Sequence, residues 1–444
     1  MTRALPSRSV LLIAAAAMAT ALGYSTDYVH VTGPTIALGC AAGLAALAVI
    51  LRRSRIDAEI VVRLLAAAAF IVFAYMQWQR TIGFIPLGTP YTVAHDLSVA
   101  LPALGLVVLV AWQRVATAAW VLFLAVLTAA EAVDLHEGTR PIIDVWFLLT
   151  HASQCVTHVC NPYTMSTPES PGVSYGLNYL PGSFLLLAPF RLLYGDVRYG
   201  LLAGLLVGAV ALRWLFPGRT GMVAGCLALT VPGTIFAVER SWLEPLLFAL
   251  IVLALLAWQR NRPVLVVLAL AVAFATKQHM LLLVPLFALV IGWRKTAMSL
   301  GGAAVICLPW FAASPSAFYN GTFKFFLNIP ERGDALSVFA AAPHSIRPFL
   351  PIVAVALMYA VVWWRVPRTA SGFFIGAGLV LAGFDLTNKI AFYNEWELAS
   401  MMLLIGAVTS SLPVAEGGRT AAVEAPGEQF LRRAAVGESR QQIG

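Results

Sequence analysis

Long apolar stretches separated by short polar loops make up most of the 444-residue chain. A helix needs about 20 apolar residues to cross a bilayer, and stretches near this length predict about fourteen spanning helices. The chain is therefore predicted to be an all-α polytopic membrane protein, since a helix satisfies its own backbone hydrogen bonds in lipid. The predicted spans lie near 8–24, 34–51, 60–78, 94–112, 115–133, 199–215, 220–237, 240–258, 262–276, 279–292, 296–312, 347–364, 371–388 and 390–412.

The interior stretch 134–198 departs from this pattern, because it concentrates His, Cys, Asp, Asn, Tyr and Pro between two blocks of apolar helices. Its segment 181–194 is apolar but only about 14 residues long, which is more typical of an interfacial helix than of a span. Segment 142–156 is amphipathic and predicts a second surface helix. Its lipid-facing side is predicted to carry Val145, Phe147, Leu148, Leu149 and Ala152, and its wet side Asp144, His151 and Gln154.

The distribution of basic residues assigns sides to the predicted helices. Cytoplasmic loops of membrane proteins are enriched in Arg and Lys. With the N-terminus inside, six loops that each carry Arg or Lys become cytoplasmic: 52–55, 113–114, 213–219, 260–262, 294–295 and 365–368. The same parity places 134–198 and 313–346 outside. We expect a multi-pass protein of the plasma membrane whose functional site faces the extracytoplasmic side.

Composition agrees with this class. The chain is 60% hydrophobic and 11% charged, with a mean hydropathy of +0.83, whereas soluble domains carry about 25% charged residues. The net charge of +8 does not indicate nucleic-acid binding, because most arginines lie in the short loops that set topology. Residues 1–25 also fit a signal peptide, although a retained first helix is favoured. The polar segment 413–444 predicts a disordered cytoplasmic tail.

Two cysteines share the polar stretch. Cys155 and Cys160 alternate with His151 and His158 in the spacing H-x3-C-x2-H-x-C, which is not a usual zinc pattern. An oxidising exterior favours a Cys155–Cys160 disulfide. Free thiols and a metal site are the alternatives, and no metal or other cofactor is predicted.

The lysines are unusually placed. Of the four in the chain, Lys277, Lys324 and Lys389 fall outside in the predicted topology, against the usual bias, and Lys295 falls inside. Charges retained near a membrane face suggest a function, and an ammonium pairs well with phosphate. Phosphate binding by these three, with help from Arg198, is the hypothesis; the alternative is snorkelling to lipid headgroups.

An ordered set of motifs resembles the C-type superfamily of membrane glycosyltransferases, which use polyprenyl-phosphate sugars. The likeness is to glycosyltransferase family 87 and its relatives, and it covers roughly 130–412. The motifs are Arg140-Pro-Ile-Ile-Asp144-Val-Trp146, Asn161-Pro162-Tyr163, Tyr179-Leu-Pro181 to Gly195-Asp196-Val-Arg198, Ser241-Trp-Leu-Glu244-Pro245, Thr276-Lys277-Gln278, Asn388-Lys389 and Phe392-Tyr393-Asn394.

The resemblance implies a domain organisation. Residues 115–312 look like the conserved seven-helix catalytic module of the superfamily, with 134–198 as its outer loop. A four-helix extension, 1–114, precedes this module and departs from the simplest layout of the family. An outer loop and three helices, 313–412, follow it.

The resemblance also implies an activity. A sugar, with mannose the first expectation and arabinose the second, would move with inversion from a polyprenyl monophosphate to a glycolipid or cell-envelope glycan. Asp144 would be the general base; Asp134 and Glu137 compete for this role, and Asp144 could instead be a helix N-cap. The residues expected to contact substrate are Asn161, Tyr163, Tyr179, Glu244, Gln278, Asn388 and Asn394.

Other interpretations remain. Glu244 fits the start of a helix equally well. The outer turn that holds Asp385, Glu395 and Glu397 could bind sugar hydroxyls or could be simply solvated. A transporter or lipid-linked-sugar flippase would also explain many helices, but the chain shows no convincing repeat and its predicted midplane is nearly free of charge. A non-catalytic membrane subunit on the same fold is the third possibility.

Overall fold

The computed structural model describes residues 63, 66–71, 73–74, 89–137, 141, 143–165, 176–231, 233–331 and 335–410. All regular secondary structure in these ranges is helical, and they contain no strand. The predicted spans 8–24 and 34–51, most of 60–78, the tail and Arg140 lie outside the described residues. The side chain of Glu137 also lies outside them.

Sixteen α-helices follow one another between residues 89 and 410. They are α1 Thr89–Val110, α2 Gln113–Glu137, α3 Asp144–His158, α4 Pro181–Tyr194, α5 Arg198–Leu215, α6 Arg219–Thr230, α7 Thr234–Glu239, α8 Glu244–Gln259, α9 Pro263–Phe274, α10 Val284–Val290, α11 Trp293–Ala313, α12 Pro315–Tyr319, α13 Phe325–Asn328, α14 Leu350–Arg365, α15 Ala370–Thr387 and α16 Tyr393–Thr409. A 3-10 helix, Gln278–Leu283, precedes α10, and a π-helical turn, Asn320–Lys324, joins α12 to α13.

Five helices of the described chain are long and apolar enough to cross a bilayer. They are Gln113–His136, Arg198–Leu215, Trp293–Ala313, Arg347–Arg365 and Ala370–Thr387. The chain is therefore a helical protein with membrane-spanning character. The fourteen predicted spans are not confirmed as a count, because several of the other helices are shorter than a bilayer-crossing helix needs to be.

Two of the predicted spans are broken. Segment 220–237 forms two helices, since α6 ends at Thr230 and α7 begins at Thr234 after Gly233, whose φ of 99° is left-handed. Segment 279–292 begins as a 3-10 helix and becomes α-helical only at Val284. Pro285 follows directly, in the first turn of the α-helix, where a residue without an N–H is best tolerated.

The helices alternate in direction, which separates the charges of the bundle. Each Asp and Glu of the described spanning helices lies within about two turns of one end, which we call the polar end. The opposite end, the arginine end, has no acidic residue between 89 and 410. It carries Arg114, Arg213, Arg219, Arg260, Arg262, Arg294, Lys295, Arg365 and Arg368.

Both segments predicted as surface helices are helical, but α3 does not leave its apolar face free for lipid as predicted. Val145, Leu148, Leu149 and Ala152 are buried in the protein core. Helix α3 packs on α4, and the Ser153 hydroxyl donates to the Phe184 carbonyl at 3.3 Å. An amphipathic pattern specifies only which face is buried, and here protein rather than lipid covers that face.

Helix α4 is anchored at its beginning by a close backbone contact. The Gly182 N–H donates to the Ala275 carbonyl at 2.6 Å. A Cβ on Gly182 would lie 2.7 Å from that carbonyl oxygen, so only glycine fits here. This contact fixes the surface helices beside the turn that carries Lys277.

Candidate functional site

Four side chains from three separate segments meet inside the polar end. The Lys277 ammonium donates to Glu244 Oε1 at 2.6 Å and to Glu395 Oε1 at 3.2 Å. The Asn394 amide donates to the same two oxygens, at 2.9 Å and 3.1 Å. We call Glu244, Lys277, Asn394 and Glu395 the acid–lysine network.

Local structure places both carboxylates of the acid–lysine network at helix N-termini. Glu244 is the first residue of α8, after a turn in which Ser241 adopts a left-handed φ of 61°. Glu395 lies in the first turn of α16, and its Oε2 accepts the Phe392 N–H at 3.0 Å. The positive end of a helix dipole stabilises a carboxylate in the first turn, so two helices favour charge at this point.

The charge of Lys277 is fixed by its partners. Burial by itself would lower the pKa of Lys277, but the carboxylates of Glu244 and Glu395 outweigh it and hold that pKa above its ordinary value. Lys277 thus remains protonated and engaged with acids. For it to bind a phosphate, as the sequence suggests, the phosphate would have to compete with two carboxylates.

The loops around the acid–lysine network are tied together by Gln278. Its amide donates to the Asn178 carbonyl at 2.9 Å and to the Thr322 carbonyl at 2.8 Å. Gly321, next to Thr322, packs so closely that a Cβ would lie 2.4 Å from the Leu177 carbonyl oxygen. Gln278 is therefore a structural bridge between three loops of the polar end.

Several buried oxygens near the acid–lysine network have no hydrogen-bond partner among the described residues. They include Glu244 Oε2, Asn178 Oδ1 and Asp385 Oδ2. All three are acceptors when the acids are ionised, and a buried acceptor without a donor costs about 1–3 kcal/mol. Asp385 and Glu397 are buried, so the turn between α15 and α16 is not the solvated turn considered from sequence.

A second polar cluster lies where α5 begins. Asp196 Oδ2 accepts from Arg198 Nε at 3.0 Å and from its terminal nitrogen at 2.9 Å. Asp196 Oδ1 accepts the Arg198 N–H at 2.9 Å and the Trp146 indole at 3.3 Å. Arg198 is buried and paired, so its guanidinium is already occupied by a carboxylate.

Three acidic residues surround Arg198. Glu131 and Asp134, on α2, are buried. Burial and the neighbouring carboxylate of Asp134 raise the pKa of Glu239 to about 8, against the opposing effects of Arg240 and Arg198. Asp134, the competitor of Asp144 for the role of base, is thus part of this buried cluster.

Asp144 begins α3 but is not its N-cap. Ile143 occupies the cap position, and Asp144 lies half-buried in the first turn. Trp146, two residues later, bonds to Asp196, so this end of α3 lies beside the Asp196–Arg198 pair. The capping role weighed from sequence does not apply to Asp144.

The Asn-Pro-Tyr motif is structural in this conformation. Asn161 Oδ1 accepts the Tyr163 N–H at 3.1 Å and caps a 3-10 turn, Pro162–Thr164. The buried Tyr163 hydroxyl donates to the Tyr179 carbonyl at 2.8 Å, and its ring lies 4.7 Å from that of Phe318. Burial raises the pKa of Tyr163 above its ordinary value, so the phenol stays protonated as this donor.

The other two predicted phosphate ligands are free of acids. Lys389 donates to the Leu327 and Ile329 carbonyls at 2.9 Å and 2.7 Å, and partial burial lowers the pKa of Lys389. Lys324 is exposed, three residues before Leu327. Asn388 makes only a local bond to the Ile390 carbonyl at 3.4 Å. In the described chain, no carboxylate pairs with Lys389 or Lys324.

The stretch 151–160 contains a disulfide between Cys155 and Cys160. His151 and His158 bond to carbonyls on their own helix, at 2.8 Å and 3.0 Å. Across the described residues, no group of three or more His, Cys, Asp or Glu could hold a metal ion.

The role of Glu395 stays open in the sequence, and the structure shows that it bridges Lys277 and the start of α16. Its signal is an acid three residues after the N-cap, Phe392, of an apolar helix, a position typical of a capping carboxylate. No local pattern indicates that this capping carboxylate would face Lys277.

Comparisons of the chain with protein-family models, with curated proteins and with solved structures found no match.

Proposed function

We propose that the chain is a membrane glycosyltransferase whose active site lies at the polar end. One observation carries the proposal. A buried network of ammonium, amide and carboxylate groups, with acceptor oxygens that lack donors, lies beside two surface helices. Sugar hydroxyls are donors and acceptors at once, so they complement unpaired carboxylate and amide oxygens.

The donor would be a polyprenyl monophosphate sugar. Its phosphate needs a cation, and Lys389 and Lys324 suit this role better than Lys277 and Arg198, which already pair with acids. Two carbonyls orient the Lys389 ammonium and leave its charge uncompensated by any described carboxylate. A point charge held in this way would stabilise the leaving phosphate.

Asp144 is proposed as the general base. The acceptor hydroxyl would lose its proton to the Asp144 carboxylate while its oxygen forms a bond to the anomeric carbon. The bond from that carbon to the phosphate oxygen would break, and the electron pair would leave with the lipid phosphate. Attack from the face opposite the phosphate would invert the anomeric centre. Mannose, then arabinose, stay the first sugars to test, with a glycolipid or cell-envelope glycan as acceptor.

The test uses purified full-length protein, polyprenyl-phosphate mannose or arabinose, and an acceptor lipid extract. We expect transfer with inverted anomeric configuration, and a loss of about 100-fold or more for Asp144→Asn, the scale of general base catalysis. Glu331→Gln is the matched control, because Glu331 is an exposed acid at the same end that pairs with Arg347. Lys389→Gln should slow transfer, whereas Lys295→Gln, at the arginine end, should not.

A flippase or transporter is the second candidate, and the buried charges of the acid–lysine network are the observation that favours it. Intramembrane charges often mark a transport path. These charges lie at one end of the bundle rather than along a path through it, which favours an enzyme over a transporter. Movement of a lipid-linked sugar across proteoliposomes without any transfer product, or full activity of Asp144→Asn, would reject the proposed reaction.

A further inference from the structure

An apolar groove runs along the outer faces of α8 and α9, away from the acid–lysine network. It has a volume of about 810 Å³, within the range of small-molecule sites. Leucines from both helices line it, together with Leu186 of α4 and Trp214 of α5. The groove ends at the arginine end, where Arg260 and Arg262 belong to its wall.

The turn between α8 and α9 presents these two arginines together. Asn261 adopts a left-handed φ of 53°, which lets the chain reverse within three residues. The Arg262 N–H donates to the Ala257 carbonyl at 2.8 Å, so Arg262 is held against the end of α8. The Arg260 guanidinium lies 5.9 Å from the centre of the Trp214 ring.

No described carboxylate neutralises either arginine. Both are exposed, and no described Asp or Glu lies at their end of the bundle. An anion is therefore the complement of this end of the groove, whereas the rest of the wall demands an apolar occupant. A molecule with one charged end and one long apolar part satisfies both requirements.

The length of the groove matches one lipid chain. Arg262 and Val272 lie at its two ends on α9, ten residues apart, which corresponds to about 15 Å along a helix. The hydrocarbon core of a bilayer is about 30 Å thick, so each leaflet contributes about 15 Å, the same length as the groove. A phospholipid of the leaflet at the arginine end fits this geometry.

We infer that the groove is a binding site for an anionic phospholipid, with the headgroup phosphate at Arg260 and Arg262 and an acyl chain along α8 and α9. Basic pockets between helices on one membrane face bind such headgroups. The site does not depend on the glycosyltransferase proposal, because none of the residues in its wall belongs to the acid–lysine network or is proposed as the base or a phosphate ligand.

The test is native mass spectrometry of the purified full-length protein, titrated with phosphatidylglycerol or phosphatidylcholine. We expect saturable retention of phosphatidylglycerol in preference to phosphatidylcholine. Arg260→Gln with Arg262→Gln should weaken the affinity for phosphatidylglycerol by about 30-fold, since each basic residue near a membrane surface contributes about fivefold. Arg294→Gln with Lys295→Gln removes the same charge at the same end, outside the groove, and should retain the affinity.

A second variant tests the apolar wall without changing charge. Leu253→Trp fills the groove and should abolish retention, while Leu357→Trp, on the exposed face of α14, should not. Equal retention of the two lipids, unchanged affinity in the Arg260 and Arg262 variant, or binding by Leu253→Trp as in the original protein would overturn the inference. Displacement of phosphatidylglycerol by an equal concentration of polyprenyl phosphate would overturn the choice of occupant.

Discussion

The Lys277 ammonium donates to the Glu244 carboxylate across 2.6 Å, although the two residues are 33 positions apart in the sequence. Glu244 is fully buried and the Lys277 side chain is 11% exposed. The pair joins the start of α8 to the turn after α9, and Asn394 extends it to α16. Three segments of the polar end are thus held by one ammonium.

Lys277→Met is predicted to destabilise the protein strongly. Removal of the ammonium leaves Glu244 and Glu395 buried as neighbours without a cation, and breaking a buried ion pair costs about 3–5 kcal/mol. Thermal unfolding in detergent measures the loss. Lys324→Met is the control, because Lys324 is exposed and pairs with no described carboxylate, so loss of its ammonium should cost little stability. Equal stability losses in the two variants would contradict the role of the network.

Gly182→Ala is predicted to displace the start of α4. The new Cβ would lie 2.7 Å from the Ala275 carbonyl oxygen, and backbone atoms cannot move aside as a side chain can. We expect a loss of about 1–3 kcal/mol, typical of overpacking. Gly301→Ala, inside α11, is the matched control because its Cβ would meet nothing within 4 Å, and it should be neutral or slightly stabilising. A neutral result at Gly182 would show that the contact is not as close as described.

Glu239→Gln is predicted to reduce the pH dependence of stability. Glu239 has a pKa of about 8 in the folded protein and 4.5 as a free side chain, so the folded state holds this proton more tightly. The stability that the proton contributes is present below pH 4.5 and is lost as the pH rises towards 8. The slope is at most about 1.4 kcal/mol per pH unit. Thermal unfolding at several pH values should show a shallower decline for the variant; parallel curves would contradict the shift.

The polar end is predicted to face outward. In a background with Cys40→Ser, Cys226→Ser and Cys307→Ser, the three cysteines other than Cys155 and Cys160 are removed. A cysteine at Lys324 should then react with an impermeant maleimide added to intact cells. A cysteine at Arg262 should react only after the membrane is opened. The reverse labelling pattern would invert the assignment of sides.

Sequence patterns predicted much of the architecture but few of the contacts. Segment 181–194 was placed as a surface helix, and α4 has these bounds because Pro181 begins it and Gly195 ends it. The motif that contains Asp144 and Trp146 did not predict that the Asp196–Arg198 pair lies beside them. The buried face of α3 was identified but assigned to lipid, since a periodic pattern cannot distinguish an apolar protein surface from lipid.

The amino-acid sequence by itself determined the helical membrane class and the alternation of helices, because hydrophobic length and loop charge are local properties of the chain. It also drew attention to Lys277, Glu244 and Asn394 as separate residues. Only the tertiary structure decided that these three share one site, that Glu395 completes it, and that two backbone carbonyls rather than a carboxylate hold Lys389. Pairing between residues more than 30 positions apart depends on how helices pack, which no local pattern records.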